Sequence, residues 1–316
     1  MSDSITPSSF VDSLDIQLLL TKLFPPLLIA AGLTYAGICY ALYNYQNSLI
    51  FRPLPHILKT PADAGCAYED VWIPVGNDTL HGWWLPNPKS KRTLLFCHGN
   101  YGNISYNLEK ILFHHSLGFS VLAFDYRGYG LSSTSNSTTQ QTPSSQTPSE
   151  ESTYTDVIAA YDYLVKGRQI SPEKITVLGH SMGGAIAIHL AAQRPNIANL
   201  IIKSSFTTME DAVHAKKIYS LFPVKQLLNH PFDSLSKVKE LKVPTLYVHG
   251  DQDFDVPAEF SHRLYAATPE PKQLWIARGA DHNNISQTQG EAYGALVQAF
   301  CKTHQPDRRE KQLQNA

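Results

Sequence analysis

Hydrophobic and polar positions along the chain change period several times, and each change marks an expected element. The first block is continuous. No charged residue falls between Lys22 and Arg52, and "PPLLIAAGLTYAGICYALY", Pro25 to Tyr43, has no polar face. About 20 apolar residues are needed to cross a bilayer as a helix. Residues 25–43 are therefore expected to form a single transmembrane anchor, preceded by a tail at 1–24. The two prolines stand at the start, where a missing N–H costs little. Tyr40, Tyr43 and Tyr45 gather at the far end, as an interfacial aromatic belt would. A cleaved signal peptide fits less well, because Asp3, Asp12 and Asp15 stand where such a peptide carries a basic region.

From about residue 66 the pattern alternates between strand and helix periods. "YEDVWIPV" and "LHGWWLP" flank "GND" and predict a hairpin. "TLLFCHGN" reads as a buried strand running into a polar loop, and "NLEKILFHHSLG" as a helix stopped at Gly118. "FSVLAFDYRG" is a strand, "YTDVIAAYDYLVKG" a helix, and "KITVLGHS" a strand. "MGGAIAIHLAAQRP" is a helix stopped by Pro195. "ANLIIKSS" and "PTLYVHG" are strands, and "PAEFSHRLYAAT" is a helix opened by Pro257. "KQLWIA" and "GEAYGALVQAFCKT" give a last strand and a closing helix. Such alternation predicts an α/β domain over residues 55–302, with a mostly parallel sheet flanked by helices. Two regions break the order. Residues 131–153 are almost all Ser, Thr, Gln and Pro and are expected to be a disordered surface insertion. Residues 206–240 exceed a single crossover helix and are expected to form a small or minimal cap. The polar end, 303–316, is expected to fray.

Composition narrows the class. The 316 residues are 43% hydrophobic, an ordinary globular share, and the formal net charge is −1, which argues against a nucleic-acid partner. Cys39, Cys66, Cys97 and Cys301 are far apart and have no zinc or disulfide spacing. No metal and no cofactor is expected.

The chemistry gathers around "GHSMG". A GxSxG after a strand and before a helix is the setting of a nucleophile elbow, which makes Ser181 a candidate nucleophile. Its glycines are needed because the turn is sharp, and the helix that starts there favours negative charge beside it. A serine needs a base, and the base needs an orienting acid. "HGDQDFDVP" offers Asp251, Asp253 and Asp255 after one strand, and "GADHNN" offers His282 after the next. An oxyanion hole takes the N–H after the nucleophile, that of Met182, and one from the loop "CHGNYGNIS", where Asn100 is the first candidate and Tyr101 the second.

In order and spacing, "CHGNYGNIS", "FDYRGYGLS", "GHSMGG", "VPTLYVHGDQDFDVP" and "GADHN" resemble the α/β-hydrolase-domain family. They look most like its membrane-anchored branch of the bud-emergence-suppressor type, similar also to the protein depalmitoylases. The resemblance covers about residues 55–302. It implies the α/β-hydrolase fold, with Ser181 as nucleophile, His282 as base and Asp253 as acid; Asp255 is the runner-up and Asp251 a turn-former. The chain departs from that family in its Ser/Thr-rich insertion and in Tyr101, where a smaller residue is common.

These features point to a membrane-anchored serine hydrolase that cleaves a carboxylic ester or thioester, lipid or acylated, through an acyl-enzyme. The alternatives are a catalytically silent scaffold on the same fold, and an amidase or peptidase using the same triad. The resemblance implies a type II arrangement in the endoplasmic reticulum or secretory pathway. Asn77 and Asn136 are then the expected glycan acceptors, whereas Asn103 and Asn284, close to the catalytic residues, are expected to stay bare.

Overall fold

A computed structural model describes residues 19–132 and 148–304. Most of the tail expected at 1–24, the centre of the insertion with Asn136, and all but the first two residues of the tail expected at 303–316 lie outside the described residues. The chain divides into two compact units, Met1–Gln46 and Asn47–Ala316.

In the first unit a short π-helical turn, Leu19–Leu23, leads into helix α1, Phe24–Ile50, whose last four residues belong to the second unit. Helix α1 continues past Tyr43, where the apolar run was expected to end. Two of its polar side chains bond back to the preceding turn. Thr34 Oγ1 donates to Ala30 O at 2.8 Å, and Asn44 Nδ2 donates to Tyr40 O at 2.7 Å. Thr21–Ile50 has a mean hydropathy of 1.5 and is long and apolar enough to cross a membrane. At 1.5 Å per residue α1 spans about 40 Å, more than the roughly 30 Å of a hydrocarbon core. Leu27, Ile29, Leu33 and Tyr40 expose their side chains around it.

The second unit begins at Asn47, ahead of the boundary expected at 55. Its centre is an eight-stranded sheet: β1 (Glu69–Val75), β2 (Asp78–Leu85), β3 (Thr93–Cys97), β4 (Ser120–Phe124), β5 (Ile175–His180), β6 (Asn199–Lys203), β7 (Thr245–Gly250) and β8 (Lys272–Ala277). The spatial order is β8-β7-β6-β5-β3-β4-β2-β1. The β1–β2 and β2–β4 pairs are antiparallel and the rest are parallel. Parallel strands packed on both faces need apolar residues at every position. In β6, Leu200 and Ile202 enter one core and Ile201 the other. Helices α2 (Leu108–Ser116), α3 (Glu150–Asp162), α4 (Met182–Gln193), α5 (Glu259–Ala267) and α6 (Gly290–Thr303) supply the covering layers.

The insertion is shorter than its composition suggested. Ser149 caps α3: its side chain accepts from Ser152 N, and Ser152 Oγ returns the bond to the Ser149 backbone. The polar run at 149–153 is thus a helix start, where hydroxyls satisfy N–H groups that have no helical partner. Residues 206–240 form a string of short helices, Met209–His214, Lys217–Leu221, Val224–Leu227 and Ser234–Lys237.

Candidate active site

All the site residues stand at the carboxyl ends of strands, where open α/β sheets place their ligand crevices. Ser181 follows β5 directly and precedes α4. Its backbone has φ 56° and ψ −123°, a region side-chain-bearing residues avoid and that costs on the order of 1–3 kcal/mol. Neighbours hold it there. Ser181 N donates to Lys203 O at 2.9 Å, and Ser181 O accepts from Gly184 N at 2.9 Å and from Ser205 Oγ at 2.8 Å. The flanking glycines permit close packing rather than unusual dihedrals. A Cβ at Gly179 would strike the Gly183 carbonyl, and one at Gly183 would strike the carbonyls of Cys97 and His98. Among the described residues the Ser181 hydroxyl has no hydrogen-bond partner, His282 included.

Of the three candidate aspartates, only Asp253 meets His282. Its Oδ2 lies 2.7 Å from His282 Nδ1, and its Oδ1 accepts from Asp255 N at 3.0 Å and Val256 N at 2.8 Å. Burial alone would raise its pKa. Hydrogen bonds from His249 and His282 reverse that, aided by the charge on His282 and by the Val256 N–H, and hold the carboxyl well below its usual range. Asp251 instead accepts from Gly279 N at 2.7 Å, a turn-forming bond. Asp255 pairs with Lys216 at 3.0 Å on the surface. A histidine whose Nδ1 faces an ionised carboxylate carries its proton there, which leaves Nε2 as the free base.

Two histidines that the sequence pattern did not single out support this pair. His249 Nε2 donates to Val256 O at 2.8 Å, with Asp253 Oδ2 at 3.2 Å, and its Nδ1 accepts from Ser261 Oγ at 2.6 Å. His180 Nε2 donates to the His282 carbonyl at 3.0 Å, and the two rings lie 5.0 Å apart. Burial, with Lys110, His282 and Lys203 nearby, drives the His180 pKa far down and keeps the ring neutral. The signal for His180 was its place inside GHSMG. For His249 no sequence signal exists, since its partner Ser261 lies on α5.

The two expected oxyanion donors have free N–H groups among the described residues. Met182 is the first residue of α4, so its N–H has no partner within the helix. The Gly99–Asn100 peptide is fixed from its other side: His98 Nδ1 donates to Gly99 O at 2.7 Å, and Asn100 O accepts from Tyr129 Oη at 2.9 Å and Arg52 N at 2.9 Å. Tyr101 turns aside, with its ring under the Arg52 guanidinium at 5.3 Å and edge-on to Tyr106. Asn77 is exposed in the β1–β2 turn. Asn103 is fully buried, and Asn284 Nδ2 is engaged by Asp281 at 2.8 Å.

Comparison with known proteins agrees with this architecture. The family described by the α/β-hydrolase fold matches residues 92–225. An uncharacterized protein of Mycobacterium tuberculosis is 31% identical over 280 residues, covering 87% of this chain and 94% of its own length. Protein bem46 of Schizosaccharomyces pombe is 29% identical over 228 residues, 68% of this chain and 72% of that protein. An esterase from Pyrococcus furiosus superposes with a TM-score of 0.66 at 24% identity, covering 81% of this chain and 98% of the esterase. With sheet order, strand-end site and sequence relatives in agreement, this chain belongs to the α/β-hydrolase family.

Proposed function

We propose that the protein is a membrane-anchored serine hydrolase acting on a carboxylic ester or thioester. The observation that carries this reading is the 2.7 Å contact between Asp253 and His282, whose carbonyl bonds the residue preceding a serine held on a strained strand-to-helix turn. Ser181 Oγ attacks the acyl carbon while its proton passes to His282 Nε2. Asp253 keeps Nδ1 protonated and stabilises the imidazolium. The oxygen that gains charge lies between the N–H groups of Met182 and Asn100. Collapse of the tetrahedral adduct expels the alcohol or thiol, protonated by His282, and leaves an acyl-serine. Water, deprotonated by His282, then releases the acid and restores Ser181.

The apolar helix at Thr21–Ile50 supports an anchor and, with it, a lipid or acylated substrate. The test is fluorophosphonate labelling of the purified full chain, with hydrolysis of p-nitrophenyl esters and acyl thioesters of graded length. Ser181→Ala should lose the label and about 10⁶-fold in rate, by analogy with other triads; retention of either refutes the reading. A catalytic domain on the lumenal side should carry a glycan on Asn77, read as a gel shift after glycosidase treatment; no shift, together with protease sensitivity of the domain from the cytosolic side, puts it in the cytosol.

A further inference from the structure

The segment that leaves α1 is bonded to the loop that carries the Asn100 N–H. Asn100 Nδ2 donates to Ile50 O at 2.9 Å, and Arg52 N donates to Asn100 O at 2.9 Å. Arg52–Pro53 then pairs in parallel with Tyr101–Gly102, a two-residue ribbon separate from the main sheet. Leu54 N donates to Gly102 O at 3.0 Å. The buried Asn103 donates through Nδ2 to Leu54 O at 2.8 Å and His56 O at 2.9 Å, and Ser105 Oγ accepts from Leu58 N at 3.0 Å.

The same segment is held from behind. Phe51 is 2% exposed and packs its ring against His230 at 5.3 Å and Phe232 at 6.1 Å. His230 Nδ1 accepts from Glu150 N at 3.3 Å, so its Nε2 carries the proton and donates to Asn47 Oδ1 at 2.8 Å. Asn47 Nδ2 donates to Pro148 O at 3.1 Å. Residues 47–58 are therefore fixed between the start of α3, the cap segment and the loop after β3.

We infer that residues 50–54 are a positioning element for the oxyanion hole, clamping Asn100 so that its N–H faces the crevice. The inference rests on the serine-hydrolase reading and goes beyond it. A loop residue leaving a strand end has no sheet neighbour to set its peptide planes. Here two donors, Arg52 N and Tyr129 Oη, converge on the Asn100 carbonyl while its side chain is tied to Ile50 O. With Gly99 O held by His98, both peptide planes at Asn100 are fixed, and the N–H needs no reorganisation when charge develops opposite it. The chain beside the anchor is thereby part of the catalytic machinery rather than a passive linker.

The test uses the full chain in detergent and p-nitrophenyl butyrate as probe. Arg52→Pro removes the N–H that reaches Asn100 O, and Asn100→Ala removes the tie to Ile50 while keeping the backbone donor. Both should lower kcat by about 10- to 100-fold with KM changed by less than about threefold, since misplacing a transition-state donor by an ångström costs rate rather than binding. Affinity for an alkyl trifluoromethyl ketone, which forms a tetrahedral adduct on the serine, should fall by the same factor as kcat. Arg52→Ala keeps the N–H and should lose clearly less than Arg52→Pro. Folded Arg52→Pro and Asn100→Ala proteins with wild-type kcat, or a loss confined to KM, overturn the inference. If Arg52→Pro fails to fold, Asn100→Ala decides it. Ser181→Ala in the same assay separates the two levels: if that variant still turns over, the hydrolase reading itself has failed.

Discussion

Asp253 and Asp125 are both buried aspartates with two histidines beside them, and they differ in how exposed those histidines are. Asp253 lies between His249 and His282 on loops after β7 and β8. Asp125 follows β4, with His98 Nε2 at 3.4 Å and Ile104 N donating to it at 2.8 Å. Burial would raise the Asp125 pKa; His81, His98 and the Ile104 N–H bring it below the usual carboxylate value. The two centres differ in what lies beyond the histidines. His98 and His81 are sealed, whereas the His282 side chain keeps 13% of its surface exposed. An Asp–His contact alone is thus a packing solution for a buried charge. On the proposed reading, what sets Asp253 apart is a histidine that solvent still reaches.

That comparison can be broken most decisively at Asp253. Asp253→Asn should cut kcat/KM by up to about 10⁴-fold by favouring the wrong His282 tautomer, and, because the folded carboxyl titrates below its unfolded value, it should also lower the melting temperature. A folded variant with near-normal turnover would put Asp253 in the same class as Asp125.

Asp125→Asn should part from it in turnover: a loss of about 1–3 kcal/mol in stability, with the folded fraction keeping activity within about tenfold. Because the folded carboxyl titrates below its unfolded value near 3.8, its contribution is complete above that pH and is lost as the pH falls further. The melting-temperature gap between wild type and variant should be constant from about pH 7 to 5 and narrow below about pH 4. A gap independent of pH would mean that the charge contributes nothing.

The smallest effects belong to the neighbours. Asp251→Asn and Asp255→Asn should each change kcat/KM by less than about fivefold, since one holds a turn and the other a surface ion pair. A crippling loss at Asp255, measured on the same ester, would show that the acid role lies two residues further on.

Much of the site could be read from the chain because it is written in local patterns. Ser181 announces itself by glycines between a strand and a helix. His282 follows from its place after the last strand. Among the aspartates the local pattern left three open; the family resemblance pointed to Asp253, and it is the one whose carboxylate meets the His282 ring. The supporting histidines escaped because their roles depend on which ring nitrogen faces a partner distant in sequence, as with His249 and Ser261. Residues 50–54 looked like a boundary because a two-residue ribbon has no period to detect. Ser149 was taken for disorder because a capping box and a solvated loop use the same residues.

The order in which these parts are synthesised has a consequence for the cell. Residues 51–58 leave the ribosome directly behind the apolar helix, well before the loop that they clamp and long before His282. At about 5–20 residues per second, the segment waits several seconds for Asn100 and longer for the base. A nascent chain can form the strained serine turn once α4 exists, yet it has no proton acceptor until the last strand of the sheet has emerged. On the proposed reading, a chain has no complete set of catalytic groups until residue 282 has been made.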